Sequence, residues 1–180
     1  MSACPTIETE RLILRPFREG DLDAYTAMLQ SPEVRRSLYL PDDIGREQAF
    51  QQMAWQLGQW QLRGTGQWAL EERASGAFVG RAGSFRPERD DWPGIELGWC
   101  LDPRHFGKGY ATEAGAAARE YVFAHHDVGE IYSCILHENT ASQGVAKRLG
   151  FTEWEDRTFK SFPTKPHMIW RLTRTDYERL

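Results

Sequence analysis

Residues 95–137 place the tightest limit on how this chain folds. An apolar run, Ile95-Glu96-Leu97-Gly98-Trp99-Cys100-Leu101, stops at Asp102-Pro103. A helical pattern follows from about residue 109 to 126, and a second apolar run covers 131–137. Strand, helix and strand in immediate succession require a parallel pair joined by a right-handed crossover. The preceding segment has a different period. Residues 67–72 and 78–82 read as strands joined at Ala74-Ser75-Gly76, a hairpin turn, so that part is antiparallel. A first strand lies at 11–15, closed by Pro16, and helices are expected over 18–30 and 46–63. Pro32 forbids simple continuation of the first helix; Phe50, Met53, Ala54, Leu57 and Trp60 form the apolar stripe of the second, which Gly64 and Gly66 stop. A short helix over 139–149, ended by Gly150, and strands near 151–159 and 167–172 complete the chain. The expected class is α/β (α+β): a mixed, mostly antiparallel sheet with a central parallel pair, flanked by helices.

With 180 residues, no repeat and no Ser/Gly linker, the chain is expected to form one domain over 1–180. Hydrophobic residues make up 41% and charged residues 27%, enough to build a packed core. A net charge of −4 argues against broad neutralisation of nucleic-acid phosphates. No apolar run approaches the ~20 residues that cross a bilayer, and Met1 to Glu8 lacks the basic-then-apolar layout of an export signal. Cys4, Cys100 and Cys134 are odd in number and form no CxxC pair, which suggests neither a disulfide framework nor a metal site. The expectation is a reduced cytoplasmic protein, monomer or homodimer, away from membranes and nucleic acid.

Chemistry concentrates in Leu101-Asp102-Pro103-Arg104-His105-Phe106-Gly107-Lys108-Gly109-Tyr110-Ala111-Thr112-Glu113-Ala114. Here a buried strand crosses a glycine loop and opens an alanine-rich helix. The two glycines let the backbone turn and expose consecutive N–H groups, and the helix start adds unpaired donors and the positive end of its dipole. Together they suit phosphate oxygens, with charge from Lys108 and a hydroxyl from Thr112. Neither the Walker loop nor the dinucleotide fingerprint is present. Taken alone, such a helix entry is about as often a plain tight turn as a ligand site.

Three blocks carry a more specific signal: Thr9-Glu10-Arg11-Leu12-Ile13-Leu14-Arg15-Pro16, the segment from Gly107 to Ala114, and Asn139-Thr140-Ala141-Ser142 leading to Leu149-Gly150-Phe151. In this order and spacing the chain resembles the GNAT superfamily of acyl-CoA-dependent N-acyltransferases, most closely its ribosomal-protein N-terminal acetyltransferase branch. One departure stands out. The superfamily loop pattern Gln/Arg-x-x-Gly-x-Gly/Ala places Phe106 at its first position, and Arg104 falls two residues early. The resemblance implies a sheet splayed at the parallel pair, with Trp99, Cys100 and Leu101 pairing with pantetheine amides. It implies a pyrophosphate on the N–H groups of Gly107, Lys108, Gly109, Tyr110, Ala111 and Thr112, beside Phe106. Asn139 would contact the pantetheine arm, cap its helix, or do both.

The implied activity is an acetyl-CoA-dependent N-acetyltransferase, moving an acetyl group directly to a primary amine in a ternary complex. The acceptor is a protein N-terminal α-amine or a small-molecule amine. Two alternatives stay open: an acyl-CoA-binding regulatory module without turnover, and an enzyme for antibiotic or metabolite amines. The N–H of Trp99 or Cys100 is the oxyanion donor, and Ser142 supplies a proton to the leaving sulfur or steadies its own turn. Glu96, a carboxylate in an apolar run, is the leading base, since burial raises its pKa; the other reading is a solvated outward residue. His137 is a second candidate, and water chains a third. Direct transfer needs no acyl-enzyme, so Cys100 and Cys134 are read as packing residues. Residues 39–44, 46–63 and 159–166 should wall the acceptor side, where Trp55, Trp60 and Trp92 either line a pocket or fill the core.

Overall fold

One eight-stranded sheet organises the chain, in the order β1-β2-β3-β4-β5-β6-β8-β7. The computed structural model describes residues 4–180; Met1, Ser2 and Ala3, part of the opening segment discussed above, lie outside the described residues. The strands are β1 (Ile7–Glu8), β2 (Leu12–Arg15), β3 (Gly66–Glu72), β4 (Phe78–Phe85), β5 (Glu96–Leu101), β6 (Glu130–Leu136), β7 (Thr152–Arg157) and β8 (His167–Thr173). The helices are α1 (Leu22–Gln30), α2 (Pro32–Leu38), α3 (Arg46–Arg63), α4 (Tyr110–His125), α5 (Thr140–Arg148) and α6 (Arg174–Tyr177). Every neighbouring pair is antiparallel except β5–β6, which α4 joins.

Strand alternation sorts the β5 side chains. Leu97 and Leu101, with Trp99 packed beside them, join Leu12, Leu14, Trp68 and Leu70 under α4 and α5. Cys100 joins the opposite core with Ala69 of β3 and with Tyr25, Met28, Val34 and Met53, from α1, α2 and α3. Glu96 and Gly98 therefore face the same side as Cys100.

Pro32 stops α1 at Gln30 as expected, and it also opens α2, which the sequence reading did not foresee, with the Ser31 Oγ accepting from the Val34 N–H at 3.4 Å. Proline suits that first helical position because its missing N–H would be unpaired there anyway. On α3, Met53 and Trp60 are buried as the stripe predicts, but Phe50 and Leu57 are exposed. Gln56 and Gln59 take the inward positions, since each finds a hydrogen-bond partner there: Gln56 on Gln67, Gln59 on the Arg86 N–H.

The parallel pair is barely a pair. β5 and β6 share one register position, Glu96 opposite Tyr132, with the Tyr132 N–H donating to the Ile95 carbonyl at 3.0 Å. Beyond it the strands part and a gap opens toward Leu101 and Leu136.

Candidate active site

Backbone alternation decides what the gap presents. Because the Ile95 carbonyl turns toward β6, the odd-numbered amides of β5 do so as well, and the even-numbered ones turn toward β4. The Asp102 N–H agrees, donating to the Val79 carbonyl at 2.9 Å. The N–H groups of Trp99 and Leu101 thus edge the gap. The Cys100 amide is turned to its register partner Arg81 on β4, so of the two N–H groups named from the sequence only that of Trp99 faces the gap.

A cavity of about 940 Å³ runs through this gap, lined among others by Glu96, Gly98, Trp99, Cys100, Leu101, Asn139 and Ser142. At its far end lies the glycine loop, contributing Phe106, Gly107, Gly109, Tyr110, Ala111 and Thr112. Gly107 and Gly109 have φ of +74° and +80°, in the left-handed region. Among the described residues, no N–H from Gly107 to Thr112 donates to a backbone or side-chain acceptor. A row of free donors at the start of a 16-residue helix fits a diphosphate.

The first sequence block explains why the loop holds its shape. Thr9 Oγ1 donates to Glu113 at 2.6 Å. The Arg11 N–H and Nε donate to the same carboxylate at 2.7 Å each, and another Arg11 nitrogen donates to the Lys108 carbonyl at 2.7 Å. The turn between β1 and β2 thus clasps the loop from behind. Lys108 and Tyr110 turn their side chains to Glu72 on β3, so their contribution to an anion is through the backbone. Arg104 is tied to Asp102, which also accepts from the Arg104 N–H at 3.0 Å. The sequence reading missed Arg148, which lines the cavity from α5 and donates to Thr112 Oγ1 at 3.1 Å. Its charge stands beside the free amides.

At the fork, Glu96 spans the two strands. Its Oε1 accepts from the Cys134 N–H at 3.3 Å, and its Oε2 has no partner. The residue is 6% exposed, and this burial pushes its carboxyl up to about 8. Ser142 stands on the other flank. Its Oγ accepts from the Trp99 indole N–H at 3.3 Å, so its own O–H is available to a partner in the gap. Asn139 caps α5, its Oδ1 accepting from the Ser142 N–H at 3.1 Å, while the residue also lines the cavity. Burial pushes both the Cys100 and Cys134 thiols up, which keeps them protonated and poor nucleophiles. His137 pairs with Asp156 at 2.6 Å and does not line the cavity.

On the acceptor side the wall is α2, through Val34, Ser37 and Leu38, with Tyr39 and Phe162 from the expected segments 39–44 and 159–166, and no residue of α3 contributes. This corrects the expected wall over 46–63, because α2, hidden from the sequence reading, occupies that place. Trp92 lines the cavity with Phe85 and Phe162. Trp60 is core at 1% exposure, and Trp55 packs outside against Phe85. The sequence reading also missed Gln67, Arg81 and His167, all lining residues. Burial pulls His167 below the usual imidazole range, and its Nδ1 lies 2.8 Å from the Lys165 carbonyl.

Known proteins share this architecture. An acetyltransferase from Agrobacterium tumefaciens superposes with a TM-score of 0.81 at 29% identity, covering 94% of this chain and 95% of that one. An uncharacterised N-acetyltransferase of Bacillus subtilis, YoaA, is 27% identical over 147 residues, 82% of each chain. An FsC-acetyl coenzyme A-N(2)-transacetylase of Aspergillus fumigatus is 26% identical over 198 aligned positions, covering 100% of this chain and 81% of that one. The family model described as the acetyltransferase (GNAT) domain matches residues 11–152, from the clasping Arg11 through the glycine loop to α5. Forked sheet, free amides and matched segment coincide, and the chain is an acyltransferase belonging to the GNAT acetyltransferase family.

Proposed function

We propose that this protein is an acetyl-CoA-dependent N-acetyltransferase that transfers an acetyl group directly to a primary amine in a ternary complex. The observation that carries this reading is the fork itself: the Trp99 N–H edges the gap, with Glu96 on one flank and Ser142 on the other. The amides from Gly107 to Thr112, with Arg148 beside them, hold the diphosphate. Phe106 covers the loop mouth, the Trp99 and Leu101 amides align the pantetheine, and Asn139 meets its arm. The acceptor nitrogen attacks the thioester carbonyl, the C–S bond breaks, and an amide and a thiol result. Overall an ammonium acceptor gives up two protons: one ends on sulfur and one in solvent. Glu96 takes a proton from the amine, the Trp99 N–H receives the growing negative charge on oxygen, and Ser142 donates a hydrogen bond to the departing sulfur. Cys4, Cys100 and Cys134, all free, suit a reducing cytoplasmic setting.

Thiol release from acetyl-CoA is measured across a panel of primary amines, beside a thermal-shift titration with acetyl-CoA. Saturable thiol release with at least one amine and a concentration-dependent rise in Tm are expected. Binding without turnover of any amine leaves a regulatory module, and absence of binding overturns the reading altogether.

A further inference from the structure

Besides the Trp92 indole N–H, the acceptor end of the cavity holds three polar groups that find no partner in the protein. Gln67 is 1% exposed; its Oε1 accepts from Gln56 Nε2 at 3.3 Å and from Arg81, and this fixes which way the amide points. Its Nε2 is left without an acceptor. That nitrogen lies over Gly98, where an added Cβ would meet it at 2.9 Å. Glycine at position 98 therefore opens the floor on which this donor rests. Arg81, on β4 opposite Cys100, lines the same cavity, and its buried Nε is likewise without a partner. Among the described residues Arg81 forms no ion pair with a carboxylate; its hydrogen bond goes to the neutral Gln67. The third group is Glu96 Oε2, an acceptor. Buried polar groups are ordinarily satisfied, and a guanidinium is always charged, so this trio asks for a ligand.

We infer that the acceptor is a small amino carboxylate with an apolar body, its carboxylate held by Arg81 and Gln67 and its amine presented to Glu96. This rests on the proposed acetyl transfer and names the substrate class of the same site. The placement agrees: Glu96 and Gly98 stand two residues apart on one face of β5, so the donor over Gly98 and the Glu96 carboxyl are neighbours along one strand. The charge agrees too. Burial keeps Glu96 largely neutral near pH 7, so Arg81 remains a cation without a counterion. The other charged side chains lining the cavity are Glu33 on α2 and Arg148 at the glycine loop. Phe85, Trp92 and Phe162 wall the space between, which favours an apolar side chain over a sugar or a polyamine.

The test compares L-phenylalanine, L-phenylalaninamide and 2-phenylethylamine as acceptors for the full chain with saturating acetyl-CoA. The acid is expected to exceed the other two in kcat/KM by roughly 100-fold, because each analogue leaves Arg81 and Gln67 unpaired. Arg81→Gln should collapse that preference to within about 3-fold through the acceptor KM, with the acetyl-CoA KM unchanged; Arg81→Lys, which keeps the charge, should retain part of it. Equal turnover of acid and amide, or a preference that survives Arg81→Gln, overturns the inference. A second readout needs no turnover. Calorimetry on the CoA-saturated protein should show N-acetyl-L-phenylalanine binding at least ~10-fold more tightly than its amide, and equal binding again overturns the inference. Selective binding with no amine acetylated would sink the transferase reading while leaving the carboxylate site standing. Turnover of the amide or the simple amine without selectivity would do the reverse.

Discussion

Glu96 owes its chemistry to where β5 and β6 separate. A carboxylate there caps the Cys134 N–H, which the missing strand partner would otherwise leave unpaired, and the same burial raises its pKa to about 8. As the proposed base it would act only when ionised, so kcat/KM is expected to climb as pH rises toward 8. An acceptor amine with a pKa well below 7 stays neutral over this range and isolates the limb. Glu96→Gln is expected to lower kcat by about 100-fold and to abolish the limb near 8, read from pH–rate profiles of both proteins. A limb that persists in the variant removes Glu96 from the role. Ser142→Ala should cost about 10-fold in kcat, and Trp99→Phe should cost less once Ser142 is gone, since the two share one hydrogen bond. Glu96 was legible in the sequence because a charge inside an apolar run is conspicuous. Gln67 and Arg81 were not: their meaning depends on the register that sets Gln67 beside Gly83, Gly83 beside Gly98, and Arg81 beside Cys100, and nothing along the chain discloses that register.

Among the elements, the glycine loop with α4 was the most legible, because a proline stop, two glycines and an alanine-rich start each have a physical meaning in isolation. Helix α2 was hidden by the double sense of proline, which ends one helix and opens the next at Pro32. The stripe on α3 misled because two glutamines, Gln56 and Gln59, are buried through hydrogen bonds to β3 and to the Arg86 amide. Grip by main-chain amides makes a sharp forecast. Gly109→Ala places a Cβ in left-handed backbone, 3.3 Å from the Arg11 guanidinium, at a cost of about 1–2 kcal/mol. The acetyl-CoA KM should rise about 10-fold. Lys108→Ala should change it less than about 3-fold, the ammonium being turned to Glu72, whereas Arg148→Ala should raise it several-fold and weaken its salt dependence. Coenzyme titrations at two ionic strengths separate these outcomes; a Lys108 effect larger than that of Gly109 contradicts the backbone grip.

For the whole molecule, keeping a carboxyl buried at the fork carries a stability penalty that depends on pH. Glu96 has a folded pKa of about 8 against an ordinary glutamate value of 4.5, so between these values the folded state holds more protons than the unfolded one. Stability must therefore fall as pH rises from about 5 to 8 and level off above. Glu96→Gln removes this contribution, and the wild type should lose a few kcal/mol relative to the variant over that window, measured by urea unfolding at fixed ionic strength. Parallel curves for the two proteins would place the carboxyl in water. The parallel pair and the antiparallel meander followed from the strand–helix–strand succession and the hairpin at Ser75, but the placing of β8 between β6 and β7 did not, nor did the depth of the splay, where β5 and β6 share one rung. Mechanically, that rung makes the sheet two plates on a common pivot. Trp99 rides on one plate and Ser142, through α5, on the other, so any rocking about Glu96 and Tyr132 would be levered into the separation of these two groups, and the indole–hydroxyl hydrogen bond between them is the latch that such a motion would have to stretch.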